Sequence, residues 1–186
     1  YLDPTTLLFI IFSPLITMRL FSEEEKLGTL ELLFTSPVKD IEIVIGKYLA
    51  SAIILTSTLM CTFFYVLLIY LFSSPDLGPL LSAYLGIILY GLATLGVGLF
   101  ASSLTGNQIV SAVVGTVLLL LLSFIDSLGA MLEGLPSTVF NEMALNYHFD
   151  DFTKGVIDVG NIIYYISIAI LFLFFTTLNL QIRRWK

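Results

Sequence analysis

Long apolar runs separated by short polar segments dominate the chain. Five of these runs are long enough to cross a membrane, where a helix needs about 20 apolar residues. Backbone groups in lipid must be hydrogen-bonded within their own segment, and the alternating pattern of a membrane barrel is absent, so each run is predicted to be a helix. The predicted spans are about 5–21, 48–72, 80–100, 109–125 and 162–180.

The segments between the spans differ in length and polarity. Residues 73–79 and 102–108 are short and rich in Gly, Pro and Ser, which predicts tight turns. Residues 126–161 are too long for a turn and too polar for a span. Within them, LGAMLEGLP and STVFNEMALNYHFDDFTKG are predicted to form short amphipathic helices at the outer surface. We therefore predict an all-α polytopic helix bundle, with residues 1–186 as a single transmembrane domain.

Composition agrees with a membrane protein. Of the 186 residues, 58% are apolar and 12% are charged, and the mean hydropathy is +1.00. A soluble domain carries about 25% charged residues. The net charge of -6 argues against nucleic acid as a partner, because nucleic-acid binding calls for a basic face. Cys61 is the single cysteine, so it cannot form an internal disulfide, and we interpret it as a packing residue.

Lysine and arginine positions predict the orientation. Seven of the eight basic residues fall in the loop after the first span or in the C-terminal tail: Arg19, Lys26, Lys39, Lys47, Arg183, Arg184 and Lys186. Basic loops face the cytosol, so we expect a multi-pass protein of the cell membrane with a cytosolic C-terminus. Five spans then place Tyr1 outside. Since no signal peptide is visible, we expect a first span to be missing and the full-length protein to have six.

Residues 22–47 form a charged segment. Its first part lies within the stretch FSEEEKLGTLELLFTSPVKD, residues 21–40. Ser22 followed by Glu25 has the spacing of a capping box, which predicts a helix start with the three glutamates in its first turn. Ser36 and Pro37 predict the start of a second helix, with Pro37 at its first position, that runs on through the second span.

The spacing of apolar residues in this segment predicts a stripe on one helix face. The stripe comprises Leu20, Leu27, Leu30 and Phe34. Two acids, Glu23 and Glu31, fall on or beside it. Acids within an apolar stripe suit neither lipid nor water. This pattern favours a docking surface for a partner with basic or hydrogen-bonding groups, and a solvated loop is the alternative.

The stretch EEEKLGTLELLFTSPVKDIEIVIGKYLA resembles the loop after the second span in permeases of the ABC-2 type of ABC transporter. Their pattern is E-E-x-x-x-G-T-x-E-x-L-x-x-x-P followed by I-x-x-G-K. The matching residues here are Glu24, Glu25, Gly28, Thr29, Glu31, Leu33, Pro37, Ile43, Gly46 and Lys47. The stretch GLFASSLTGNQIVSAVVG, residues 98–115, resembles the family's turn between its fourth and fifth spans. The chain looks most like the small permeases of gliding-motility and copper-enzyme maturation systems.

The resemblance implies a six-span permease whose hairpin carries a coupling helix that sits in a cleft of a separate ABC ATPase. The residues expected to couple are Glu24, Glu25, Gly28, Thr29, Glu31, Leu32, Leu33 and Pro37. Two permeases, identical or different, would pair with two ATPase subunits. ATP and Mg²⁺ would be bound by the ATPase, and no cofactor is expected in this chain. Gly46 and Lys47 do not form a P-loop, so Lys47 is interpreted as an interfacial anchor.

Polar residues inside the first and fourth spans are candidates for a translocation pathway, because the corresponding family spans line a central cavity. They are Ser13, Thr17, Ser111, Thr116 and Ser123; such side chains can also satisfy their own helix backbone. Glycines at Gly86, Gly91, Gly96 and Gly98 predict close helix packing.

His148 near Asp150 and Asp151 is either part of a metal site or a polar surface of an outer helix. No catalytic motif of an intramembrane enzyme is visible, and no ionisable residue lies at mid-depth of a span. The sequence therefore predicts the permease subunit of an ABC-2 exporter, with no enzymatic activity of its own. The alternative is a membrane scaffold that recruits a cytosolic protein through residues 22–47.

Overall fold

The computed structural model describes residues 4–35, 37–72, 77–129 and 135–184. In these ranges the chain forms eight α-helices and no strand: α1 Pro4–Leu27, α2 Thr29–Thr35, α3 Asp40–Phe72, α4 Leu77–Leu104, α5 Gln108–Gly129, α6 Leu135–Met143, α7 Leu145–Thr153 and α8 Val159–Arg184. The predicted all-α bundle is confirmed.

Five of these helices, α1, α3, α4, α5 and α8, are long and apolar enough to cross a membrane, and they contain the five predicted spans. Each helix extends beyond its predicted span, most of all α3, which begins at Asp40, ahead of the span predicted from residue 48. At 33 residues, α3 is about 50 Å long. A hydrocarbon core of about 30 Å leaves several turns of such a helix outside the lipid.

Helix α4 is the centre of the bundle and packs against α1, α5, α7 and α8. Its core residues, including Tyr90, Leu95 and Leu99, are fully buried. Close approach of its neighbours requires glycine: a Cβ on Gly96 would lie 3.3 Å from the Cα of Ala169 in α8. The predicted packing role of the α4 glycines is confirmed. Helix α3, by contrast, lies at the periphery with most of its side chains exposed.

Helices α6 and α7 lie at one end of the bundle and replace the single stretch predicted from residue 137 to residue 155. The helical conformation is interrupted at Ala144, which is fully buried. Of the other predicted stretch, residues 128 and 129 continue α5, and residues 130–134 lie outside the described part of the chain.

Helix α7 is amphipathic, as predicted, with Tyr147 and Asp150 on its exposed face. This helix buries Leu145, Phe149 and Phe152 in the same cluster as Tyr90. The hydroxyl of Tyr165 in α8 donates to the carbonyl oxygen of Leu145 at 2.8 Å. Helix α7 therefore forms a cap on this end of the bundle, with its inward aromatic side chains filling the space between α4 and α8.

His148 belongs to this cap, and both interpretations from the sequence are corrected. Its ring is buried and stacks on Tyr164 at 4.0 Å between ring centroids. Its Nδ1 lies 2.6 Å from Oδ1 of Asn161, and Asn161 Nδ2 donates to Asp151 Oδ2 at 2.9 Å. No group of three metal-ligating side chains occurs among the described residues. His148 joins α7 to the start of α8 and is not on a polar surface.

Candidate functional site

The charged segment forms a hairpin of helices at the end of the bundle opposite α7, which we call the hairpin end. Helix α1 runs on to Leu27, and the chain then turns at Gly28, whose φ of 70° is left-handed. Glycine adopts this conformation without the strain that a Cβ would cause. Helix α2 follows at once, and residues 37–39 lead into α3. The hairpin thus has two arms, α1 and α3, joined by the short helix α2.

The predicted capping box at Ser22 is wrong. Ser22 is fully buried inside α1 and its side chain donates to the carbonyl oxygen of Met18, one turn earlier. It also lies beside Ser102 of α4, with their hydroxyl oxygens 3.2 Å apart. Glu23, Glu24 and Glu25 therefore lie in the last turns of α1, not in the first turn of a helix.

The predicted single stripe is also wrong, because the turn at Gly28 separates its two halves. Leu30 is buried in α2, whereas Leu27 at the end of α1 is 67% exposed. Leu30 packs with Phe21, Val44, Leu99 and Leu180, which come from α1, α3, α4 and α8. This cluster fixes α2 against the hairpin end of the bundle.

The second helix starts three residues later than predicted. Pro37 lies before α3 and is exposed, and Ser36 lies outside the described residues. The backbone N–H of Lys39 donates to Oε2 of Glu42 at 3.1 Å. This bond is the half of a capping box that the glutamate supplies, so Lys39 occupies the N-cap position and Asp40 begins the helix.

Lys47 forms the first polar contact between the two arms. Its Nζ donates to Oε1 of Glu24 at 2.6 Å and to the carbonyl oxygen of Leu20 at 2.5 Å. Glutamates near the C-terminus of a helix oppose the helix dipole, and an ammonium group there offsets that cost. Lys47 therefore holds the end of α1, a role that its interpretation as an interfacial anchor did not include.

Helix α8 supplies two further contacts at the hairpin end. Arg183 Nη1 lies 2.5 Å from Oε1 of Glu25, and Arg184 Nη1 lies 3.3 Å from Oδ1 of Asp40. Glu25 also abuts the turn between α4 and α5, since a Cβ on Gly106 would lie 3.2 Å from its side chain. The two stretches that carry the sequence resemblance therefore meet in space.

The predicted coupling residues divide into two groups. Glu24 and Glu25 face the bundle and bind the basic residues just described. Gly28, Thr29, Glu31 and Pro37 are exposed, and Leu33 is half-buried. The side chain of Leu32 lies outside the described part of the structure. The exposed group forms a surface on and beside α2, which we call the α2 surface, that is open to a partner.

Of the predicted pathway residues, Ser13 and Thr17 lie in a contact between two helices. Ser13 and Thr17 are buried between α1 and α4, where the Ser13 and Thr94 hydroxyl oxygens are 2.8 Å apart. Thr17 donates to the carbonyl oxygen of Ser13 at 2.9 Å. In α5, Thr116 is half-buried and donates to the Ala112 carbonyl oxygen. Ser111 is 1% exposed, and its hydroxyl has no hydrogen-bond partner among the residues that the structure describes.

Comparison with known proteins gives one family and two relatives. The model of the ABC-2 family transporter protein matches residues 1–147. The probable multidrug ABC transporter permease YbhR of Escherichia coli K12 is 28% identical over 144 residues, which are 76% of this chain and 39% of that protein. The same permease of E. coli O157:H7 matches equally. The chain thus spans about two fifths of these relatives' length. No solved structure matches it.

Proposed function

Because this chain belongs to the ABC-2 family of transporter proteins, we propose that it is the permease subunit of an ATP-driven exporter. A separate ABC ATPase binds ATP and Mg²⁺ and docks on the α2 surface. Two permease chains, identical or different, enclose the translocation pathway between them. The hairpin end and the C-terminus then face the cytosol, where ATP is available, and the protein lies in the cell membrane.

The observation that supports this proposal most directly is the exposure of Glu31 on an α2 that is otherwise fixed. Leu30 anchors α2 in the apolar cluster, and Lys47 ties the adjoining end of α1 to α3. Glu31 has no such internal role: it lies in the first turn of α2 and faces outward. An exposed acid on a rigid element suits a partner with a basic or hydrogen-bonding cleft.

Transport would require the pathway side chains to become accessible between two permeases. Ser13 and Thr17 lie inside the α1–α4 contact, so they reach a pathway only if α1 moves relative to α4. Movement of the hairpin supplies such a displacement, because Ser13 lies in α1, which leads through the turn at Gly28 directly into α2. An apolar pathway with few hydroxyls fits apolar or amphiphilic substrates, in keeping with the multidrug name of the relative.

The test compares the wild-type chain with Glu31→Arg, both reconstituted in nanodiscs with an ABC ATPase of the same organism. Charge reversal at a docked acid is expected to weaken ATPase binding at least about tenfold, which corresponds to 1.4 kcal/mol. Asp150→Arg, an exposed acid on α7 at the opposite end, is the matched control. Unchanged binding and ATP turnover in Glu31→Arg would overturn the docking assignment.

The same experiment separates the proposal from a membrane scaffold. A scaffold would bind its partner through the α2 surface without changing the rate of ATP hydrolysis. A permease changes that rate, because closure of the ATPase and movement of the hairpin are linked. Wild-type binding without any change in turnover would therefore favour the scaffold.

A further inference from the structure

The last turn of α8 ends in two adjacent arginines that bind different arms of the hairpin. Arg183 pairs with Glu25 at the end of α1, and Arg184 pairs with Asp40 at the start of α3. One helix end thus contacts both arms. Neighbouring positions on a helix point about 100° apart, so a single α8 end lying between the arms can serve both acids at once.

Both ion pairs are partly withdrawn from water. The side chains of Asp40 and Arg184 are 8% and 44% exposed, and those of Arg183 and Glu25 are 25% and 32% exposed. Ion pairs in such positions are screened less by salt than exposed pairs and depend more on geometry. The Glu25 carboxylate is also close to Gly106, since a Cβ on Gly106 would be in tight contact with it. Glu25 is thus held on two sides, by Arg183 and by the α4–α5 turn.

Apolar packing between α8 and α3 is incomplete next to these contacts. The two helices leave an apolar groove of about 460 Å³ between them, lined by residues that include Ile41, Val44, Phe174 and Gln181. The ion pair between Arg184 and Asp40 lies just beyond this groove. Asp40 directly precedes the groove residue Ile41 in α3, and Arg184 follows the groove residue Gln181 by three positions in α8. The polar contact therefore joins two helices that are not tightly packed at this level.

We propose that Arg183 and Arg184 are positioning residues that clamp the hairpin to α8, so that hairpin movement reaches α8 as well as α1 and α3. This inference rests on the proposed function for its consequence, which is coupling of ATP turnover to the bundle. Its structural content stands separately: α8 and the hairpin move as one unit while the clamp is intact. The clamp acts on coupling and not on docking, because the α2 surface does not include its residues.

A charge exchange tests the clamp without any ATPase. Spin labels at Glu31→Cys and Gln181→Cys, in a Cys61→Ser background, report the distance between α2 and α8 in nanodiscs. The wild-type distance distribution is expected to be narrow, Arg183→Glu is expected to broaden it, and Glu25→Arg with Arg183→Glu is expected to narrow it again. Lys26→Glu, an exposed basic neighbour, is the control and should leave it narrow.

Coupling is then measured on the unlabelled variants with the ATPase present. Arg183→Glu is expected to keep ATPase binding but to reduce the permease-dependent change in turnover about fivefold or more, the lower range of such couplings. The exchanged pair should recover most of it. A narrow distribution and normal coupling in Arg183→Glu, or broadening that the exchange does not reverse, would overturn the clamp. If the wild-type chain neither binds the ATPase nor alters its turnover, the proposed function fails, and the spin-label distances still decide whether the clamp exists.

Discussion

Gly96 in α4 and Ala169 in α8 bring two helix backbones into direct contact: a Cβ on Gly96 would lie 3.3 Å from the Cα of Ala169 and 3.4 Å from its carbonyl oxygen. Backbone atoms cannot rotate away as a side chain can, so a larger residue here must push α4 and α8 apart. Small residues allow this kind of close approach between membrane helices.

We therefore predict that Gly96→Val destabilises the protein by about 1–3 kcal/mol, the usual cost of overpacking a core. Thermal unfolding in detergent measures the change. Gly46→Ala is the control, since no atom of the described residues outside its own stretch of α3 lies within 4 Å of a Cβ there. It is expected to be neutral or stabilising, because alanine stabilises a helix relative to glycine by about 0.5–1 kcal/mol. Equal stability of Gly96→Val and wild type would contradict the observed contact.

Ser102 joins α4 to α1 through backbone groups. Its hydroxyl oxygen accepts from the N–H groups of Phe21 and Ser22 at 3.1 and 3.3 Å, and it donates to the Met18 carbonyl oxygen at 3.0 Å. Ser102→Ala removes these three buried hydrogen bonds between α4 and α1 and is expected to cost about 1–3 kcal/mol. Ser57→Ala, an exposed serine bonded to its own helix, should be nearly neutral. Comparable melting temperatures for the two variants would refute this role.

Lys47 and Glu24 are predicted to depend on each other. Lys47→Met leaves the Glu24 carboxylate without its partner and is expected to destabilise the protein by about 1–2 kcal/mol, less than the loss of one member of a fully buried pair because both side chains are partly exposed. Adding Glu24→Gln should recover most of the loss. A double-mutant cycle measured by thermal unfolding checks this, and additive losses would show that the two side chains do not interact.

Asn161 connects His148 to Asp151 at the opposite end of the bundle. Asn161→Leu removes both hydrogen bonds and is expected to cost about 1–3 kcal/mol. The effect should appear as faster hydrogen exchange in α6 and α7, while α2 and the ends of α1 and α3 exchange as in the wild type. Asp150→Asn, on the exposed side of α7, is the control. Faster exchange confined to the hairpin end would contradict the assignment.

Sequence patterns predicted the spans well, because a span is a local property. Apolar run length alone identified all five long helices, and α4 glycines pointed to close packing before any neighbour was known. The boundaries were less accurate, since helices continue past the apolar run wherever polar groups find partners. Helix α3 continues two turns before the apolar span predicted from residue 48, up to Asp40, which binds Arg184 of the distant α8.

Errors arose where the deciding partner is distant in sequence. Ser22 and Glu25 have capping-box spacing, yet Ser22 is buried because Ser102 lies against it, 80 residues away. His148 seemed to belong to a surface, and its partner Asn161 is contributed by another helix. The sequence around Arg183 gives no sign of its role beyond its charge. Two basic residues at the end of a span are expected from the orientation rule alone, so they do not by themselves predict ion pairs with the hairpin.

The central claim is that the α2 surface docks an ABC ATPase, and cross-linking from one position tests it most directly. In a Cys61→Ser background, Glu31→Cys carries the only cysteine of the chain, and a short photoreactive maleimide on it reaches groups within contact distance. Our account predicts that an ABC ATPase of the same organism is captured in membranes, and that the same probe at Asp150→Cys does not capture it. Capture at both positions or at neither would contradict docking on the α2 surface.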